Sequence, residues 1–160
     1  MRASAKAAGA TTIGMANNDA APLLALADVA VLLPTPPELI AGSTRMGAAT
    51  AQKIALNMMS TLMAIYLGHV HDGYMVNLHA DNTKLKSRAA RIVAAISGHS
   101  TDEAGDYLEA SRGSVKAAVL LAAGAGDLAA ATRLLDGADQ NLRKALAKLG
   151  GGASFRRMGT

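Results

Sequence analysis

Cysteine is absent from the 160 residues, and so is tryptophan. Without cysteine the chain can form no disulfide, has no thiol nucleophile and offers no thiolate to a metal. Aromatic residues make up only 2% of the chain, with one Phe and three Tyr. Nucleic-acid bases are stacked on aromatic side chains, and the basic residues here are dispersed among acids. The composition therefore disfavours nucleic-acid binding, although the formal net charge is +4.

Long apolar runs are also missing. The most apolar stretch, at 54–67, is shorter than the roughly 20 residues of a membrane span, and Asn57, Ser60 and Thr61 interrupt it. The amino-terminal letters MRASAKAA lack the apolar centre of a signal peptide. We therefore expect a soluble, cytoplasmic protein without a membrane partner.

Two short apolar runs predict parallel strands. TTIGMA, at 11–16, is β-branched at its start, and DVAVLLP, at 28–34, is ended by proline. Between them APLLALA is typical of a short helix entered at Pro22. This order predicts a right-handed βαβ unit whose strands are buried on both faces. Because a doubly wound sheet needs more strands, we expect the chain to be the second half of something larger and to expose an apolar edge.

A long apolar helix is predicted after these strands, from Ser43 to Leu67. Ser43 is a favourable N-cap and Gly68 a favourable stop. Met58, Met59 and Met63 lie in this helix, and their spacing indicates core packing.

The stretch PPELIAGSTRMGAATAQK, at 36–53, contains the start of that helix. Free backbone N–H groups and the positive end of the helix dipole attract anions, and Ser43, Thr44 and Arg45 add hydrogen-bond donors. We therefore predict an anionic ligand here, with Glu38 as the neighbouring carboxylate. On the residues alone the alternatives are a helix cap with a surface arginine and, for Glu38, an acid that complements the dipole.

Two histidines in the letters HVHDG, His69 and His71, raise the question of a metal. The other donors nearby are Asp72 and His79, whereas a structural zinc site needs three or four well-placed ligands. We expect a loop without a metal. Beyond it, Asp81 or Asn82 predicts the cap of a helix that ends near Gly98, with basic residues on its outer face.

The last third of the chain contains an internal repeat. YLEASRGSVKAAV, at 107–119, aligns with LLDGADQNLRKAL, at 134–146. Each copy predicts a helix pair too small to bury its own apolar face, so the two copies should pack together. The glycine-rich end, at 150–160, is typical of a flexible tail.

Several ordered motifs resemble one protein family: PELIAGSTRM, TAQK, LNMMST, LGHVHDGYMVNL and DNTKLKSRAARIV. They are similar to the C-terminal half of the N-acetylmuramic acid 6-phosphate etherases. These are phosphosugar proteins of the sugar isomerase (SIS) type, related to the glucokinase regulatory protein. The resemblance extends from about Ala3 to Leu149. The family motif usually has lysine after STRM, where this chain has Gly47, and glycine before PE, where it has Pro36.

The resemblance implies an α/β fold in three parts. A partial SIS-type parallel sheet flanked by helices is expected at 1–98. A small all-helical C-terminal domain, similar to the ubiquitin-associated three-helix type, is expected at 99–149, followed by the tail at 150–160. For this helical domain, a lid or a support for a dimer is the favoured interpretation over peptide binding.

The resemblance also implies an activity. The family is a lyase that eliminates D-lactate from N-acetylmuramic acid 6-phosphate and leaves N-acetylglucosamine 6-phosphate, without metal or other cofactor, as a homodimer. Glu38, Ser43, Thr44 and Arg45 are then expected to bind the phosphorylated amino sugar. The family's acid and base glutamates are expected upstream, so we assign no catalytic residue to this chain.

The residues leave a second hypothesis open. An elimination next to a carbonyl calls for two carboxylic groups, and Glu38 has no second acid beside it in its motif. A non-catalytic phosphosugar-binding or regulatory module is the alternative, and Gly47 favours it. A purely structural helical protein is disfavoured by the strand pair and by the GSTR letters before the long helix.

Overall fold

A computed structural model describes residue 5 and residues 7–150. In chain order the elements are β1 (Ile13–Ala16), α1 (Pro22–Leu26), β2 (Val29–Leu32), α2 (Gly47–Tyr66), β3 (Val70–His71), β4 (Tyr74–Met75), α3 (Thr83–Ser97), α4 (Thr101–Ala110), α5 (Val115–Ala122), α6 (Leu128–Asp136) and α7 (Leu142–Leu149). This confirms the predicted α/β class. The chain divides into two compact units, the first ending at Thr61 and the second beginning at Leu62.

The first unit contains a parallel strand pair. β1 and β2 pair in register from Ile13 opposite Val29 to Ala16 opposite Leu32, with α1 between them in the chain. Both predicted strands are therefore confirmed, with shorter bounds. Their predicted burial on both faces is wrong, because Ile13 is 51% and Val29 46% exposed. A two-stranded sheet has too few neighbours to cover its side chains, and the prediction of exposed apolar surface on these strands is confirmed.

Helix α2 begins at Gly47, four residues later than the predicted start at Ser43, and ends at Tyr66. None of its residues is buried. Met58 is 60% exposed, and Met59 and Met63 are exposed as well, so the prediction that they pack in a core is wrong. The sequence showed that this helix is apolar, but only the fold decides whether anything covers it.

The second unit has its own hydrophobic core. The largest fully buried side chains are those of Val76, Val93, Val115, Val119, Leu120 and Leu142. Helix α3 begins after Asn82, whose side chain accepts a hydrogen bond from the backbone N–H of Leu85, and ends at Gly98 in the left-handed conformation. Both predicted caps of this helix are thus confirmed.

The internal repeat is confirmed element by element. Helices α4 and α5 begin at Thr101 and Val115, and α6 and α7 begin 27 residues later at Leu128 and Leu142. The loop residues agree as well, since Arg112 and its counterpart Asp139 have φ values of 54° and 53°. All four helices contribute buried residues to one core, so the copies pack together as predicted.

In the described residues no helix combines the length and apolar character that a membrane span requires. Residues 151–160, which contain most of the predicted flexible tail, lie outside the described residues. The domain boundary predicted near residue 98 stays a prediction.

Candidate functional site

The predicted site residues lie on the turn that precedes α2. The backbone N–H of Ser43 donates to the carbonyl of Ile40 at 3.0 Å, and the carbonyl of Thr44 accepts from the N–H of Ala49 at 2.9 Å. Ser43 is half-buried, whereas Thr44 and Arg45 are exposed. Within the described part of the chain, the side chains of these three residues have no hydrogen-bond or ion-pair partner. They are therefore available to a ligand at this turn.

Glu38 is placed at the start of α2 by two hydrogen bonds. Its Oε2 accepts from the N–H of Gly47 at 3.1 Å, and its Oε1 accepts from the N–H of Ala48 at 3.0 Å. These two bonds, the one from Ala48 first, lower the pKa of the Glu38 carboxyl below its ordinary value. The anion that meets these two helix donors is thus Glu38 itself. Any ligand at this turn must use the remaining donors.

Gly47 leaves room for a side chain at this helix start. A Cβ placed there would lie 3.5 Å from Glu38 Oε1, an ordinary van der Waals distance. A Cβ fits at this position, so the space does not require glycine, and the lysine that the etherase motif usually has here would add a cation at this helix start. Glycine removes that cation and weakens the first helical turn.

Two further polar residues, Asn17 and Gln52, meet at the carboxyl end of the strands. Neither is among the site residues predicted from the sequence. Asn17 follows β1, and its Nδ2 donates to the carbonyl of Leu33 after β2 at 3.0 Å. Its Oδ1 accepts from Gln52 Nε2 of α2 at 2.5 Å. Ligands of parallel sheets bind at this edge. The letters NN directly after the predicted strand were the feature that could have indicated Asn17.

The histidines lie in a hairpin of the second unit. His71 is buried, and its Nε2 lies 3.5 Å from Asp72 Oδ2. Asp72 in turn binds the guanidinium of Arg143 on α7 at 2.6 Å. Burial, opposed by Asp72, lowers the pKa of His71. Among the described residues, no three His, Asp or Glu side chains come together as a metal site would require.

Known proteins resemble this chain over most of its length. No protein-family model matches the chain. Curated relatives do: the N-acetylmuramic acid 6-phosphate etherase of Deinococcus radiodurans is 49% identical over 144 residues, which are 89% of this chain and 47% of that protein. The etherase of Streptomyces avermitilis is 44% identical over 89% of the chain and 46% of its own length. Etherase 1 of Bacillus licheniformis is 40% identical over 89% of the chain and 47% of its own length.

The chain belongs to the N-acetylmuramic acid 6-phosphate etherase family. The resemblance found in the sequence motifs is therefore confirmed. The chain spans about half the length of the curated relatives it matches.

The first unit of this etherase-family chain has few carboxyl groups that could act as an acid or a base. In the described residues up to Thr61 they are Asp19, Asp28 and Glu38. Asp28 accepts hydrogen bonds from the N–H and the hydroxyl of Thr12, at 2.9 and 2.6 Å, where the strands begin. Glu38 is held by the start of α2. A second carboxyl group hydrogen-bonded to Glu38 is not found in this part of the structure.

Proposed function

We propose that the chain forms part of an N-acetylmuramic acid 6-phosphate etherase. This lyase eliminates D-lactate from N-acetylmuramic acid 6-phosphate and gives N-acetylglucosamine 6-phosphate. The observation that carries the proposal is the identity of 40 to 49% to curated etherases over 89% of the chain. Residues 1–98 are the C-terminal half of a SIS-type phosphosugar domain, and 99–149 form the small helical domain.

The contribution of this half is to bind the sugar phosphate at the turn before α2. Arg45 supplies a positive charge that can pair with a phosphate, and the hydroxyls of Ser43 and Thr44 supply donors. Glu38 takes part by fixing the backbone at Gly47 and Ala48. The three donors project from a turn whose position depends on that carboxylate.

The elimination itself needs groups beyond those of this chain. A base removes the proton next to the sugar carbonyl, and an acid protonates the departing ether oxygen, so that lactate leaves. Water must then add to the unsaturated sugar to complete the atom balance. Glu38 is a poor proton donor, because two backbone hydrogen bonds stabilise its carboxylate. The acid and base are the family's glutamates in the half that this chain does not match.

The remaining assignments follow the family. The protein works in the cytoplasm as a homodimer, on a phosphorylated amino sugar, without a metal or another cofactor.

A non-catalytic phosphosugar-binding or regulatory module is the second candidate. It is favoured by the use of Glu38 as a cap, which leaves the site without a free carboxylate, and by the missing cation at Gly47. Both candidates bind a sugar 6-phosphate, but only the etherase releases lactate.

A hybrid enzyme separates the two candidates. In the etherase of Deinococcus radiodurans, the segment that matches this chain is replaced by the chain, and release of D-lactate from N-acetylmuramic acid 6-phosphate is measured. We expect lactate release. Changing Arg45→Gln should raise KM about tenfold, as loss of a charged hydrogen bond does. Arg91→Gln, an exposed arginine of α3, serves as the matched control and should change little.

The hybrid also has an outcome that contradicts the etherase. If it folds and binds the sugar phosphate but releases no lactate, while the parent enzyme does, the binding module becomes the better assignment. If Arg45→Gln leaves KM unchanged, the proposed phosphate contact is wrong.

A further inference from the structure

A cavity of about 560 Å³ opens on the second unit, between α3 and α4. Its floor is formed by Ala80, Ala90 and Leu108, all of them buried. The volume lies within the range of small-molecule sites. It contains none of the residues proposed to bind the sugar phosphate.

Charged side chains line this cavity without being used by the fold. Lys86, Glu109 and Arg112 all face it. In the described part of the chain, none of the three has an ion-pair partner. Two cations and one carboxylate therefore remain free for a ligand, and the balance is positive.

The two helices that line the cavity carry opposite charges. α3, from Thr83 to Ser97, carries the cations Lys84, Lys86, Arg88 and Arg91 and no acid. All four are exposed. The facing helix α4 carries four acids and no base, namely Asp102, Glu103, Asp106 and Glu109. The positive balance is therefore confined to the side chains that line the cavity, because Lys86 and Arg112 outnumber Glu109 there.

Gly105 indicates that the space is kept open. It lies in the interior of α4 and lines the cavity. Glycine in a helix interior costs roughly 0.5–1 kcal/mol relative to alanine. A Cβ at Gly105 would meet nothing within 4 Å, so packing does not require glycine there. The counterpart in the second copy of the repeat is Thr132 in α6, so the same helical position holds a larger residue there.

Arg112 carries a second local cost at the same cavity. Its φ of 54° is in the left-handed region, as is that of its counterpart Asp139 at 53°. Asp tolerates this conformation better than most residues, whereas arginine gains nothing from it locally. The loop needs the conformation, but it does not need a cation.

We propose that this cavity binds a small hydroxylated organic anion. Its phosphate or carboxylate pairs with Lys86 and Arg112. Its hydroxyl groups hydrogen-bond to the Glu109 carboxylate and the Ser87 hydroxyl, and its carbon skeleton lies on the apolar floor. The site shares no residue with the proposed sugar-phosphate turn at Ser43 to Arg45, and the proposal does not depend on that turn.

Titrations of the full chain test this site. Glucose 6-phosphate and gluconate are the organic phosphate and carboxylate probes, and inorganic phosphate and glucose are the controls. Backbone amide NMR signals are followed at Lys86, Gly105 and Arg112, so that binding at residues 43–48 is read separately. We expect one organic anion to shift these signals more strongly than either control, and to do so less at high salt.

Three variants identify the contacts. Gly105→Leu fills the cavity and removes a helix-interior glycine, so it should abolish binding while the fold remains stable. Lys86→Gln should weaken binding about tenfold. Arg91→Gln, on the same helix but outside the lining, should weaken it less than twofold. The retained stability of Gly105→Leu separates lost binding from lost folding.

Several outcomes would overturn the proposal. They are the absence of any shift at these residues with either organic anion, binding that survives in Gly105→Leu, or equal binding of inorganic phosphate. The last result would show that the floor, Ser87 and Glu109 contribute nothing.

Discussion

The two units of this chain differ in how many of their apolar side chains are buried. Among the described residues, Ala16 is the only buried hydrophobic residue of the first unit, whereas all the others belong to the second. The first unit instead exposes apolar side chains on β1, β2 and the part of α2 up to Thr61. The second unit exposes them at the end of α2 and on the hairpin of β3 and β4. Helices of the second unit cover one another because the repeat supplies matching faces. A pair of strands and a helix that is apolar around much of its circumference need further layers of structure to cover their apolar side chains.

The largest expected effect breaks the core of the second unit. Leu120 has no exposed surface. Changing it to alanine should lower the free energy of unfolding by about 2–5 kcal/mol, because the removed methyl groups leave a cavity. In the first unit, Ile54→Ala removes a side chain that is 54% exposed and should cost about 0.5 kcal/mol or less. Urea unfolding followed by circular dichroism measures both. A cost for Ile54→Ala as large as that for Leu120→Ala would mean that α2 is covered after all.

A smaller effect compares two glycines within the second unit. Gly113 has a φ of +85°, and a Cβ there would lie 3.1 Å from the carbonyl oxygen of Ala80. This close approach follows from the hydrogen bond of 2.9 Å between the N–H of Ala80 and the carbonyl of Gly113. Gly113→Ala should therefore destabilise the unit by about 1–3 kcal/mol.

Gly105→Ala is the matched change and should have the opposite sign. It places a methyl group in open space inside a helix, so stability should rise by about 0.5–1 kcal/mol. Thermal unfolding of both variants checks the pair. If Gly113→Ala is also harmless, the contact between Ala80 and Gly113 does not hold the second unit together.

Acid should weaken the second unit through His71. Burial lowers the pKa of this histidine in the folded protein, so the unfolded chain binds a proton more readily. Stability is therefore fully present above the unfolded pKa of 6.5 and falls as the pH drops through that value towards the lower folded pKa. Urea unfolding at about pH 8 and about pH 5 measures the loss. His71→Phe should reduce it, whereas an unchanged loss would assign the acid sensitivity to other groups.

The smallest expected effect is local to the first unit. Glu38→Gln removes the negative charge that accepts from Gly47 and Ala48, so hydrogen exchange at these two amides should become faster. The folded pKa of Glu38 is lowered, so acid weakens the same cap as the pH falls below 4.5 through the folded pKa. Glu109→Gln, an exposed acid of α4, is the control. Unchanged exchange at Gly47 would show that the carboxylate does not fix the turn.

Features with local determinants could be predicted from the sequence. The caps Asn82 and Gly98 and the repeat offset follow from residues a few positions apart, and the structure confirms all of them. Ser43 is a good cap by residue type but does not cap α2, because the helix begins later, at Gly47, and is capped by the side chain of Glu38. The hydrogen bonds that join Asn17 to Leu33 and Gln52 could not be predicted from the sequence, since they depend on the packing of two strands and a helix.

By itself the sequence determined the family, the α/β class, the apolar character of each element and the repeat. These properties depend on residue types and short spacings. The tertiary structure alone decided which apolar residues are covered: Met58 and Leu120 are both apolar helix residues, yet the first is exposed and the second fully buried. Burial depends on which neighbours the fold places around a side chain, and the residue type does not determine these neighbours. For the same reason only the fold brought Lys86, Glu109 and Arg112 to one cavity.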